Sequence, residues 1–170
     1  MRGIDFLSSP FLKEESLLFD HEVSTDYLCS NIALVSERAR RKYPKLHKEL
    51  DPLVEQVYHL NGSIRGKLSI DEKDLIALHE RYKNIKGKVE HRAKGMLLPK
   101  GCEIACRIHI LRCEVIQVVR TMHKIKHSGV EVPNILIDYG NLLANYFFVL
   151  SLYANELEGR EEEEFISKSY

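Results

Sequence analysis

Hydrophobic residues recur along this chain at steps of three and four, the spacing of one face of an α-helix, and nowhere alternate long enough to predict a strand. Pro10, Pro44, Pro52, Pro99 and Pro133 divide the pattern into segments. Residues 1–22 read as an irregular lead-in. A first helix is expected from Ser24 or Thr25, either of which can cap it, with Asp26 in the first turn and Leu28, Ile32, Val35 and Ala39 inward. It should end before Pro44. A second is expected from about Lys45 to Ile64 with Leu50, Leu53, Val54, Val57 and Leu60 inward; Pro52 falls near its start if the helix proper begins at Asp51. Ser69 and Glu72 have the spacing of a capping box for a third helix, to about His91, with Leu75, Leu78, Tyr82, Ile85 and Val89 inward.

The turn Leu97-Leu98-Pro99-Lys100-Gly101 precedes a fourth helix, about Cys102 to His127, whose stripe is Ile104, Ile108, Leu111, Val115, Val118, Met122 and Ile125. The fifth, about Pro133 to Leu157, is apolar on most sides, so it must be covered on several faces by neighbours or by another subunit. Glu161 to Glu164 read as a solvated, frayed acidic tail over 158–170. The fold class is therefore all-α, a five-helix bundle with adjacent helices mostly antiparallel.

Composition adds bounds. One domain accounts for the 170 residues, and 44% hydrophobic against 29% charged residues is a globular balance. Twenty-five basic and 25 acidic residues cancel, so no whole-molecule field draws in nucleic acid or an anionic membrane. Charges at Lys13, Glu14 and Glu15 interrupt any signal-peptide run, and Leu142 to Ala154 is shorter than a membrane span of ~20 residues, which predicts a cytoplasmic protein.

Familiar chemical motifs fail on geometry. Cys102, Cys106, His109 and Cys113 share one stripe, but at 1.5 Å per residue they spread over roughly 16 Å, too far for one metal ion. They read as reduced, small core residues, and no metal site is expected. His123 and His127 lack the glutamate of H-E-x-x-H and read as a solvated helix end. Gly62 to Leu68 is one residue short of a P-loop, carries Leu68 where a hydroxyl should hold magnesium, and follows a helix; it reads as a helix end with glycine stops.

One family does match. Leu98-Pro99-Lys100-Gly101, then Ile108-His109-Ile110-Leu111-Arg112 and Arg120, then Asn141 and the run Asn145 to Asn155 resemble the PduO-type ATP:cob(I)alamin adenosyltransferases, which read LPGG, LHxARxxCRRAER and LNRLSDxLFVLARxxN. Val23 to Leu28 is similar to the family's GTxDEL segment. The resemblance implies a homotrimeric five-helix bundle with ATP between subunits, Mg²⁺ on its phosphates and the corrinoid, cobalamin, nearby. It also implies a reaction: the reduced cobalt attacks the 5′ carbon of ATP and triphosphate leaves, while the protein positions both substrates and neutralises charge. Carried over residue by residue, it gives Arg112 and Arg120 as the catalytic cations and Asn141, Asn145 and Asp26 as the other nucleotide-site residues.

Departures from the family pattern describe an eroded ATP site. Ile116 stands between Arg112 and Arg120 where the family has a third arginine, Leu142 replaces an arginine, and Asn145 replaces an aspartate. Residues 1–22 hold no counterpart of the glycine-rich phosphate loop. Two readings stay open. One is a divergent adenosyltransferase; the other is a non-catalytic trimeric relative that binds a corrinoid or nucleotide or serves as an interaction module. Apart from either, Arg112 and Arg120 can be read simply as helix-surface or interface cations, paired with Glu114 or Asp138.

Overall fold

The structure, a computed structural model, describes residues 4–169. Its helices are α1 (Leu17–Lys42), α2 (Pro44–Arg65), α3 (Glu72–Val89), α4 (Glu103–His127) and α5 (Asn134–Leu157), with 3-10 turns at Ile4–Phe6 and Glu90–Arg92. The five expected helices are all present, and the lone bridge, Leu97 with Glu164, makes no sheet.

The lead-in is shorter than the sequence suggested, and its first three residues lie outside the described part. Ser16 caps α1, accepting from the Leu18 N–H, so residues 17–22 are helical. Ser24 and Thr25 cap nothing; their hydroxyls donate back to the carbonyls of Asp20 and His21 within the helix. This turn was hidden because its inward positions are polar: His21 and Thr25 are buried where a stripe would carry leucine. Arg65 holds the preceding segment down, pairing with Glu14 at 2.7 Å and with Glu22, its guanidinium over the Phe11 ring.

Pro44 opens α2 at its first turn, which leaves Pro52 inside the helix; the second proline is tolerated at the loss of one backbone bond. Gly62 lies within α2 and Gly66 ends it. The box before α3 is Asp71 with Asp74, not Ser69 with Glu72. Both boxes fit the sequence pattern, and the carboxylate pair wins the better placed backbone donors.

Contacts arrange the helices in the spatial order α2, α1, α4, α5, α3. The Cys29–Val54 and Ser36–His47 contacts make α1 and α2 antiparallel. Arg81 over Tyr146 and Lys88 over Tyr153 advance together, so α3 and α5 run parallel and α4 is the crossover between them. α5 is walled in by α2, α3 and α4, with Tyr139, Leu143, Tyr146, Phe147 and Leu150 essentially inaccessible. Tyr146 donates to Glu49, which also takes Arg81 at 3.2 Å, so the polar tip of this core aromatic is satisfied at the α2–α3 rim. α5 is long and apolar enough to cross a membrane, yet 67% of its most apolar window is buried in the bundle. Its surplus faces are thus met within the chain. Of its large apolar side chains only Leu157, at the very end, is exposed among the described residues, whereas α1 (Val23, Tyr27, Leu34) and α4 (Ile110, Ile116) each expose several.

The acidic tail is folded back, not frayed. Leu98 N–H donates to the Glu163 carbonyl at 2.8 Å and Phe165 N–H to that of Met96 at 2.6 Å. Lys100 pairs with Glu163 at 2.8 Å and Arg92 with Glu162 at 3.2 Å.

α4 and α5 approach closely at Gly140, where a Cβ would lie 2.5 Å from Val119 Cγ2. Gly140→Ala is expected to cost about 1–3 kcal/mol by overpacking. Gly62→Ala, in a helix with open space around it, should instead stabilise by about 0.5–1 kcal/mol. Urea midpoints of the two variants against the parent check both signs.

Candidate functional site

Two contacts fix the register of the antiparallel α4–α5 pair. The His109 ring lies 6.4 Å from that of Phe148, and Gly140 abuts Val119 and Met122. One turn up α4 is therefore one turn down α5, which sets Arg112 level with Asn145, Ile116 with Asn141, and Arg120 with Asp138. These residues follow the same helical stripes as His109 and Phe148, so Arg112, Arg120, Asn141 and Asn145 share one outward seam. Asn141, Asn145 and Arg120 are exposed and Arg112 is half-buried.

Neither arginine forms an ion pair among the described residues, and the Nε of Arg112 is buried without a hydrogen-bond partner. Glu114, offered by sequence as its partner, projects from the other side of α4 and accepts from Asn31 of α1 at 2.8 Å. Burial pushes the Glu114 carboxyl up, against the Asn31 bond, and its second oxygen has no partner. Asp26 does not join the seam. It lies on the α2 side of α1, where it accepts from the Tyr58 hydroxyl, a bond that pushes that phenol up to about 12.

Between the seam and α1, a groove of about 620 Å³ runs past Tyr27, Cys106, His109, Ile110, Cys113 and Gln117. Its volume and mostly apolar lining are those of a small-molecule site. The cysteine stripe is less uniform than expected. Cys102 is buried, Cys106 half-buried and Cys113 exposed, because α4 turns this edge towards solvent; Cys29, on α1, is buried. No three His, Cys, Asp or Glu among the described residues are placed to hold a metal. His123 and His127 are exposed, His127 bonding the His123 carbonyl.

His109 carries more than its sequence context suggested. It is 6% exposed with both ring nitrogens unpartnered, and burial, then the adjacent Arg112 cation, holds its pKa down to about 4. A neutral imidazole beside an unpaired guanidinium offers a ligand one donor and one acceptor next to a full charge. Sequence periodicity placed His109 on this stripe; only packing against Phe148 reveals that it is desolvated.

The five-helix bundle is a fold already known from solved structures. Two variants of a PduO-type ATP:corrinoid adenosyltransferase from Lactobacillus reuteri complexed with cobalamin and ATP match it. One has 19% identity, a TM-score of 0.80 and coverage of 89% of this chain and 85% of that one. The other has 18%, 0.81, 91% and 88%. A third variant, complexed with ATP, matches at 18% identity and TM-score 0.79, covering 90% and 89%. Residues 12–154 match the sequence profile of the cobalamin adenosyltransferases, and the chain belongs to that family. Comparison with curated protein sequences returns no match.

The low pKa of His109 has a pH consequence. Unfolded, the imidazole takes up a proton near pH 6.5; folded, it does so only near 4. Between those values the unfolded chain binds more protons, so the stability is full above pH 6.5 and falls as pH drops towards 4. His21, also buried with a lowered pKa, adds in the same direction. Urea unfolding from pH 7 to 4.5 should show this loss, about 2–3 kcal/mol for His109, and His109→Gln should flatten the slope.

Proposed function

We propose that this protein transfers the adenosyl group of ATP to a reduced corrinoid with release of triphosphate, at an ATP site weaker than its family's pattern. One observation carries the reading: Arg112, half-buried and with a buried Nε lacking any partner, shares an outward seam with Arg120, Asn141 and Asn145. Holding a cation partly desolvated and unpaired costs free energy that a bound polyphosphate returns. Arg112 and Arg120 are two turns apart, about 12 Å, a span that follows a triphosphate. Asn141 and Asn145 supply neutral donors and acceptors to sugar and phosphate oxygens. Asp26, on the far side of its own α1, would complete the site from a neighbouring subunit. Exposed Ile110, Ile116, Tyr27 and Leu34 supply the apolar surface for such an interface in a homotrimer.

Mg²⁺ would be carried by the triphosphate itself. Bound there, it would neutralise phosphate charge. The chain's own part is to orient the nucleotide and hold the leaving group. Ile116, 47% exposed between the two arginines, removes one charge from that line, and this favours the second reading, a relative that binds nucleotide or corrinoid without efficient catalysis. Each charged contact missing in the transition state lowers the rate ~10²–10³-fold.

Titration with ATP and Mg²⁺, then with reduced cobalamin while the corrinoid spectrum is followed, separates the readings. Binding without the adenosylated spectrum leaves the non-catalytic relative; turnover at the rate of an efficient enzyme removes the weakened site. Arg112→Ala or Arg120→Ala should weaken ATP by ~1.5–3 kcal/mol, while Ile116→Arg with Asn145→Asp should tighten it. Light scattering should give the mass of a trimer; a monomer at micromolar concentration rules out the intersubunit site.

A further inference from the structure

Asn155 lies on the last turn of α5, fully buried, and its amide joins three segments far apart in sequence. Its Oδ1 accepts from the N–H of Cys102, the residue that caps α4, at 2.9 Å. Its Nδ2 donates to the Lys100 carbonyl at 3.1 Å and to both oxygens of Glu162 at 3.0 and 3.2 Å. Glu162 is 7% exposed and pairs with Arg92, itself 10% exposed, at 3.2 Å; Arg92 also donates to the Arg160 carbonyl. Between Lys100 and Cys102 the chain passes through Gly101 at φ +127, where a Cβ would collide with the Asn155 amide. Only glycine admits both that dihedral and that approach. The end of α5, the turn before α4 and the returning tail are thus clamped on one side chain.

We infer that Asn155 is a positioning residue: with Glu162 and Arg92 it locks the start of α4 in place, and through that helix it sets the position of His109 and Arg112. Arg112 lies ten residues beyond Cys102, about 15 Å along a continuous helix, so a loosened first turn displaces the guanidinium it carries. The ligand served, ATP, rests on the function proposed above. The lock itself is read from this geometry alone.

Asn155→Asp keeps the shape and the acceptor for Cys102 but turns a donor into an acceptor facing a carbonyl and a carboxylate. Amide hydrogen exchange and ATP affinity are measured on the parent, N155D and the double variant N155D/E162Q, in which the amide introduced on the tail can donate to the carboxylate introduced on α5. Exchange in N155D should rise at least roughly fivefold from Cys102 through Arg112 with 115–127 unchanged, ATP should bind roughly tenfold more weakly, and the double variant should restore both in part. Faster exchange confined to the tail, or a lowered melting temperature with ATP affinity intact, would overturn the inference. Glu162→Ala, which frees the tail arm and spares the Cys102 bond, should raise exchange over the same residues to a smaller degree, and gives a folded reference if N155D does not accumulate. Parent protein that ignores ATP while N155D shows the expected exchange sinks the functional reading and leaves the lock standing.

Discussion

A helix that is apolar almost all the way round can exist in water only if it is walled in, and α5 imposes that demand on the rest of the bundle. Three neighbours meet it, and the order α2, α1, α4, α5, α3 follows. Because α3 and α5 run parallel, the chain between them must return along the bundle, and α4 is that return. Gly140 lets the Val119 and Met122 side chains of α4 pack directly onto the α5 backbone, with one flank of α4 in the core and the other outward. The seam is the outward flank of this packing.

Fold and chemistry are therefore written at different positions. Ile108, Leu111 and Val115 face inward and hold the bundle together, while Arg112, Ile116 and Arg120 lie on the outer arc, where exchanging an arginine for an isoleucine leaves the bundle's packing untouched. A chain can thus keep the architecture of the solved adenosyltransferases at under one-fifth identity.

What the sequence revealed follows the same division. The stripes of α2, α4 and α5 are apolar at helical spacing, and their helices were legible to within a residue or two. The start of α1 was not, because His21 and Thr25 occupy inward positions and satisfy the pattern with polar groups. The tail misled for a different reason: four glutamates in a row look solvated, and their partners Arg92 and Lys100 come from a segment some 60 to 70 residues earlier, beyond any local rule. Arg112, Arg120, Asn141 and Asn145 could be named from motif order, and their shared seam follows from helical register. Asp26, named on the same basis, lies on another side of the bundle, against Tyr58 of α2, a separation that motif order does not contain.

Between His109 and Glu114, less than two turns of α4, the chain buries both nitrogens of an imidazole, the Nε of a guanidinium and one carboxylate oxygen without protein partners. Each such group costs ~1–3 kcal/mol when left unpaired, a sum that is large beside the ~5–15 kcal/mol by which domains of this size are stable. The cost is not relieved by sliding α4, because Gly140 and the Asn155 amide hold it at both ends. A helix that presents polar groups without protein partners has them largely desolvated and oriented before anything binds, so a partner of matching polarity meets little further ordering cost. On the function proposed above, the recognition chemistry falls on α4, between the groove on one side and the α5 amides on the other.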